Sequence, residues 1–326
     1  MFKRILLILL CILLTNSVSA QWVNNSFKVM GTQAHIEFWL EAPEKEKNTS
    51  EQLILLVKNE MNRIDKAMSP YKAVSELSRV NDKAGSEAVL ISNELFTLLY
   101  ESQQIAELSD GAFDITYASV GYQYDYRKKQ RPNNESIKSA LEAINYRAVI
   151  LDREKSTVRF SRADVKIDLG GIAKGYAVKQ SIELLKSAGI KHALVSAGGD
   201  TALLGDRRGR PWYVGIKHPR AEDKTAVQLP LTDEAISTSG DYERYFIEDG
   251  VRYHHIVNPK TGDSARKVVS VSIIGKDATF VDALSTTVFV KGLQEGMIFI
   301  DQLSGYEAII IDNQQTLHVS KGLQEQ

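Results

Sequence analysis

Residues 168–175 read Asp-Leu-Gly-Gly-Ile-Ala-Lys-Gly, and they stand where one periodicity gives way to another. Val165, Ile167 and Leu169 alternate with polar neighbours, which is the period of a strand. Over residues 176–186, Tyr176, Ile182 and Leu185 approximate one face of a helix. Three glycines and an acid therefore fall at a strand-to-helix turn. Backbone without a Cβ lets a ligand approach closely, and free N–H groups at a helix start attract phosphate. The spacing is neither the dinucleotide-binding G-x-G-x-x-G nor the phosphate-binding G-x-x-x-x-G-K-[ST]. Alone, the run reads equally as a glycine turn needed for tight strand–helix packing.

Outward from this turn, the first twenty residues stand apart from the rest. Lys3 and Arg4 precede an apolar run from Ile5 to Leu14, and Val18-Ser19-Ala20 has the small residues of a cleavage site. The run is short for a bilayer span, so residues 1–20 read as a removed signal peptide and 21–326 as one domain. Cys11, the single cysteine, lies inside the apolar run rather than at the junction, so it would be removed too. That leaves neither disulfides nor a thiol nucleophile. With 40 basic and 41 acidic residues interspersed, no basic stripe points to nucleic acid. The run Arg127-Lys128-Lys129-Gln130-Arg131 reads as a solvated loop.

The remaining pattern is mixed. Val29–Leu40 alternates and predicts a strand. Thr49 and Gln52 form a capping box before a helix whose inner face is Leu53, Val57, Met61, Ile64 and Met68, ended by Ser69-Pro70. Ser92 caps a second helix carrying Leu95, Leu98, Leu99 and Ile105, stopped by Asp110-Gly111. Residues 122–136 predict an exposed loop. Strands are expected near 146–151, 157–160, 165–169, 193–196, 212–217 and 226–231. Asp249-Gly250 predicts a hairpin between 242–247 and 253–257. A strand at 268–274, a helix at 279–290 ended by Gly292, a helix at 293–303 and two short strands follow. No repeat or low-complexity linker divides the chain, so the expectation is one α+β globule.

Short polar clusters fall between these elements: Met30-Gly31-Thr32, Ser69-Pro70-Tyr71, Gly111-Ala112-Phe113-Asp114, Gly198-Gly199-Asp200, Ser237-Thr238-Ser239-Gly240, His254 to Pro259, and Asp282 to Thr286. Each alone has a plain reading as a turn or a helix cap. In this order they resemble the ApbE family of flavin transferases, over about Met30 to Gly292. The most specific matches are Asp-Leu-Gly-Gly-Ile-Ala-Lys-Gly, Ser-Thr-Ser-Gly-Asp-Tyr-Glu-Arg, His-Ile-x-x-Pro-x-Thr-Gly and Asp-Ala-Leu-Ser-Thr.

The resemblance implies a T-fold-like α+β globule with helices on a mostly antiparallel sheet. It implies an enzyme that binds FAD with Mg²⁺, cleaves the pyrophosphate, attaches FMN to a Thr or Ser hydroxyl of an acceptor protein and releases AMP. By motif position, Asp282 and Thr286 match side-chain metal ligands, Gly171 a backbone-carbonyl ligand and Thr279 a further contributor. Four residues apart, Asp282 and Thr286 share a helix face. Mg²⁺ takes oxygen ligands and keeps waters, so this donor set suffices. Met30, Tyr71, Ala112, Phe113, Asp114, Asp168, Lys174 and Ile256 match positions that contact FAD. His255 matches the histidine beside the reacting phosphates, placed to act as general base, with Asp282 as the other catalytic group. The family's usual acceptors are membrane redox pumps and extracytoplasmic electron carriers; the cleaved signal peptide predicts a periplasmic protein, and such an acceptor leaves inner-membrane association open.

Two departures stand out. Asn258 replaces the family's usual Asp before the proline, removing a charge that could tune His255. Residues 115–126 are tyrosine-rich where the family is apolar. A Mg²⁺-dependent FAD pyrophosphatase, with water as acceptor, and a non-catalytic FAD-binding protein are the alternatives.

Overall fold

A computed structural model describes residues 20–41, 49–221 and 223–324; the signal-peptide reading of residues 1–20 lies almost wholly outside them. The frame is one eight-stranded sheet. Its order runs Gln21–Val29, Thr32–Leu40, Ala193–Ala197, Asp200–Leu204, Ala235–Gly240, Ser270–Gly275, Glu307–Ile311 and Leu317–Val319. Every neighbouring pair is antiparallel.

The first hairpin revises the expectation of a single strand from Val29. Met30 and Gly31 take φ of 51° and 71°, so the chain reverses there and Val29 faces Thr32. Both central residues are left-handed, as in a type I′ turn, whose twist matches the strands it joins. Alternation continues through such a turn, which is why the two strands read as one.

Helices cover one face of the sheet. The Ser50–Met68 helix buries Leu53, Val57, Met61, Ile64 and Met68, and both halves of the Thr49–Gln52 capping box form. Helices Ala173–Ser187 and Ala278–Lys291 pack on each other and on the sheet centre. Ser92 caps Asn93–Leu108 as expected. Helix Glu76–Lys83, capped by Ser75, is an element that hydropathy did not announce. The other face of the sheet is covered by the hairpin Trp212–Lys217/Thr225–Leu231. Trp212, Ile216 and Leu231 pack there on Leu203, Ile236, Ile274 and Ile309. No described helix is long and apolar enough to cross a membrane.

Three further expectations are corrected. Residues 165–169 form no strand and pair with none. Instead the Asn81 side chain takes both backbone groups of Ile167, donating to its carbonyl (2.9 Å) and accepting from its N–H (2.8 Å). Residues 122–136 are not simply an exposed loop. Tyr124 is buried, and Asn133 caps a helix at Asn134–Ala140. Ser237-Thr238-Ser239-Gly240 is not a loop but part of the central strand Ala235–Gly240.

Candidate active site

The glycine turn, the Ala278–Lys291 helix and the sheet centre meet at one place. Asp277 caps that helix, its carboxylate accepting from the N–H groups of Thr279 (2.9 Å) and Phe280 (3.4 Å). Asp282 is thereby relieved of capping and lies in the second turn, 3% exposed. Its Oδ2 accepts from Gly175 N–H at 2.9 Å, which ties it to the start of the neighbouring helix. A Cβ on Gly175 would lie 2.2 Å from the Ala278 carbonyl oxygen and 2.6 Å from the Asp282 Cβ. The last glycine of the run is therefore required by helix-to-helix contact. Gly171 leans on the same helix: a Cβ there would be 3.2 Å from Thr286 Oγ1 and 3.3 Å from Phe113 Cε2. Gly171, Phe113, Asp282 and Thr286 thus come together.

Thr279, Asp282 and Thr286 recur at spacings of three and four residues, so they occupy one helix face. Thr279 Oγ1 is buried and has no hydrogen-bond partner. A buried hydroxyl normally finds one, so an orphan beside a carboxylate suits an oxygen-seeking cation. Among the described residues no three His, Cys, Asp or Glu side chains form a metal cage. The oxygens on this helix face are one carboxylate and two hydroxyls, with the Gly171 turn beside Thr286, and such hard oxygen donors suit Mg²⁺ better than zinc.

Lys174 and Asp200 complete the charged centre. Lys174 Nζ is 2.6 Å from Asp200 Oδ2 and 3.6 Å from Asp282 Oδ1. Burial disfavours the ammonium, but the two carboxylates outweigh it and hold its pKa above the ordinary value. Burial and the nearby Asp200 charge push Asp282 up to about 7, against the pull of Lys174 and the Gly175 N–H. Ser237 Oγ donates to Asp200 Oδ1 (2.6 Å), and Ser239 Oγ lies 2.8 Å from Ser285 Oγ and 3.4 Å from Thr286 Oγ1. Asp200, Ser237, Ser239 and Ser285 escaped assignment from sequence. For Ser237 and Ser239 the signal was a polar residue on every second position of strand Ala235–Gly240, masked by a loop-like Ser/Thr/Gly composition; Asp200 lies on strand Asp200–Leu204 and Ser285 on helix Ala278–Lys291.

His255 follows directly on strand Val251–His254. Burial first, then His254, Arg244 and Lys174, hold its pKa down to about 3, so the imidazole is neutral. Its Nδ1 is buried without a partner. Arg244, another residue not singled out, donates no ion pair within 4.0 Å among the described residues, yet its charge reaches His255, Lys174, Asp168 and Tyr71. Its carbonyl accepts from His255 N–H at 3.1 Å, and its guanidinium borders the Met30–Gly31 turn. His254 differs: one ring nitrogen is 2.6 Å from the Ala265 carbonyl oxygen and the other accepts from Ile256 N–H at 3.3 Å.

The remaining FAD-matching residues divide. Asp168 is buried at the turn, its Oδ1 accepting from Gly170 N–H at 2.7 Å, and burial raises its pKa. Tyr71 is 78% exposed and close enough to feel the Asp168 charge. Ala112 and Ile256 are buried. Asp114 is committed inside the fold: it accepts from Thr116 Oγ1 (2.6 Å), Thr116 N–H (2.8 Å) and Tyr146 N–H (2.9 Å).

Both sequence departures acquire a structural account. Asn258 Oδ1 accepts from Lys260 N–H at 2.9 Å, a turn contact that an aspartate oxygen makes equally well and that does not involve His255. The tyrosines brace the site: Tyr122 donates to the Ile167 carbonyl (2.8 Å), Tyr124 to the Gly262 carbonyl (3.1 Å) and Tyr126 to the His254 carbonyl (3.2 Å).

The fold recurs in known proteins. The ApbE family profile matches residues 30–310. A FAD:protein FMN transferase of Treponema pallidum is 32% identical over 90% of this chain and 86% of its own length. Another from Vibrio cholerae is 32% identical over 85% and 84%. The crystal structure of the ApbE protein of Thermotoga maritima superposes with a TM-score of 0.85 at 34% identity, covering 94% of this chain and 99% of that one. The flavin transferase ApbE from Vibrio cholerae gives 0.83 at 28% identity, with the same coverages. The chain belongs to the ApbE family.

Proposed function

We propose that this chain is an exported FAD:protein FMN transferase that attaches FMN to a Thr or Ser hydroxyl of an acceptor protein and releases AMP, with Mg²⁺ required. The observation that carries the reading is the docking of the Thr279–Asp282–Thr286 face against the Gly171 turn, with Lys174 alongside. Asp282, Thr286, Thr279 and the Gly171 carbonyl would hold Mg²⁺, which would neutralise charge on the substrate's pyrophosphate. Lys174 adds a fixed positive charge at the same place. His255, neutral and with its Nδ1 free of any hydrogen-bond partner, would accept the proton of the incoming hydroxyl. The hydroxyl oxygen bonds to the FMN phosphorus, the bond to the AMP oxygen breaks, and AMP leaves with that electron pair. The acceptor class that fits is an extracytoplasmic or membrane-bound redox protein. Export removes residues 1–20, so the exported protein should begin at Gln21.

The test is mass spectrometry of a Thr-containing acceptor after incubation with FAD and Mg²⁺. Acceptor carrying FMN, with AMP released, is expected. Free FMN with AMP would make the chain a pyrophosphatase, and intact bound FAD would make it a binding protein. Asp282→Ala should imitate metal removal and slow AMP release by roughly a hundredfold or more. Unimpaired release at modest Mg²⁺ would rule Asp282 out as a ligand.

A further inference from the structure

The Lys174 ammonium stands between two carboxylates, and which one holds it decides whether Asp282 can bind a cation. It is in contact with Asp200 (2.6 Å) and stands off from Asp282 (3.6 Å). Asp200 is fixed from its other side as well. Ser237 Oγ donates to Oδ1 at 2.6 Å, and Asp200 is 1% exposed. Its backbone is equally constrained: Asp200 opposes Ser237 in the sheet, and a Cβ on the preceding Gly199 would lie 2.5 Å from the Thr238 carbonyl oxygen.

We propose that Asp200 is a positioning residue: it holds the Lys174 ammonium off Asp282, keeping a carboxylate oxygen open to a divalent cation and fixing the ammonium beside the phosphates. The proposal rests on the reading of Asp282 as a metal ligand. The orphaned Thr279 Oγ1 on the same helix face supports it independently, since a hydroxyl buried without a protein partner can serve as an oxygen donor to a cation. Charge arithmetic agrees. With both carboxylates ionised, as cation binding to Asp282 requires, they and the ammonium leave this group at −1, and a divalent cation brings it to +1, opposite in sign to a pyrophosphate. An ammonium in contact with Asp282 would instead compete for the same oxygen. A mere structural staple between helix and sheet would need Asp200 and Lys174 but would make no demand on Asp282.

The experiment measures Mn²⁺ affinity of the mature protein without flavin, by titration calorimetry or electron paramagnetic resonance. The proteins are wild type, Asp200→Asn, Lys174→Met and the double variant. In Asp200→Asn the ammonium closes on Asp282, and Mn²⁺ affinity should fall tenfold or more. Lys174→Met should raise affinity only a few-fold in the wild-type background and at least tenfold more than that beside Asp200→Asn. That non-additivity is the signature of direct competition. Asp200→Glu should retain most of the wild-type affinity. Should Asp200→Asn fail to fold, Ser237→Ala, which loosens Asp200 without changing charge, should shift affinity in the same direction by a smaller factor. Equal effects of Lys174→Met in both backgrounds overturn the proposal and leave the metal reading standing. Absence of millimolar Mn²⁺ binding by the wild type overturns both.

Discussion

Strand Ala235–Gly240 divides two interiors that share a backbone and differ in chemistry. Ile236 joins Trp212, Leu203, Ile274 and Ile309 in an apolar core under the hairpin. One residue on, Ser237 binds Asp200, and Ser239 reaches Ser285 and Thr286. Adjacent side chains of a strand point to opposite faces, so a single stretch lines both. The hairpin side gains stability by removing apolar surface from water. The helix side buries three carboxylates, Asp168, Asp200 and Asp282, with an ammonium beside two of them, an arrangement that costs desolvation energy and concentrates charge in the interior. Stability and function are thus segregated by face.

The segregation can be broken most severely at Trp212. It is 2% exposed, donates from its indole N–H to the Gly205 carbonyl at 3.1 Å, and stacks edge-on to Trp22. Trp212→Ala should cost about 3–5 kcal/mol of stability. Turnover per folded molecule should stay within about twofold of wild type at a temperature where the variant is folded. Denaturant unfolding alongside a rate assay checks both halves. A rate that collapses while the fold persists would mean that the two faces are coupled.

The sequence made one interior more legible than the other. Helix Ser50–Met68 announced its buried face residue by residue, because a helix on a sheet needs an apolar stripe and little else. The turn at 168–175 was legible too, since Gly175 has no alternative where two helices touch. The pairing of Lys174 with Asp200 was not. They are 26 residues apart, and only the crossing of helix and sheet joins them. Strand Ala235–Gly240 was hidden for a related reason: with Ser237 and Ser239 facing a charged site, its composition imitates a loop. Residues 165–169 misled in the opposite sense. Alternation reports two environments, not a neighbouring strand, and here the neighbour is the side chain of Asn81.

The same contrast is compressed into two consecutive histidines. His254 is 1% exposed, edge-on to the Phe289 ring at 5.5 Å, with both ring nitrogens engaged. Burial holds its pKa down to about 4. The unfolded chain, with a histidine near 6.5, binds the extra proton between these values, so stability is complete above about pH 6.5 and is lost as pH falls toward 4. The shift corresponds to about 3 kcal/mol. His255, also held low by burial, acts in the same sense. His254→Gln should flatten this acid limb and leave FMN transfer nearly unchanged. His255→Ala should slow transfer by roughly a hundredfold or more while FAD affinity stays within a few-fold. Transfer rates and acid titrations of both variants decide it. A slower His254→Gln would reverse the assignment.

The finest test compares neighbours across the strand. Thr238 Oγ1 lies 2.7 Å from Ser272 Oγ on the hairpin side, and Ser239 Oγ lies 2.8 Å from Ser285 Oγ on the helix side. Removing either hydroxyl removes one neutral hydrogen bond, worth about 1 kcal/mol. Thr238→Val and Ser239→Ala should therefore lose similar, small amounts of stability. They should differ in function. Ser239 also approaches Thr286 Oγ1 at 3.4 Å, so its loss frees the rotamer of a candidate metal ligand, whereas the Ser272 hydroxyl meets no other side-chain partner than Thr238 among the described residues. Ser239→Ala should weaken Mn²⁺ binding a few-fold, and Thr238→Val should leave it unaltered. Equal Mn²⁺ affinities for the two variants would show that the Thr286 hydroxyl is oriented by its own helix and that the sheet supplies only a wall.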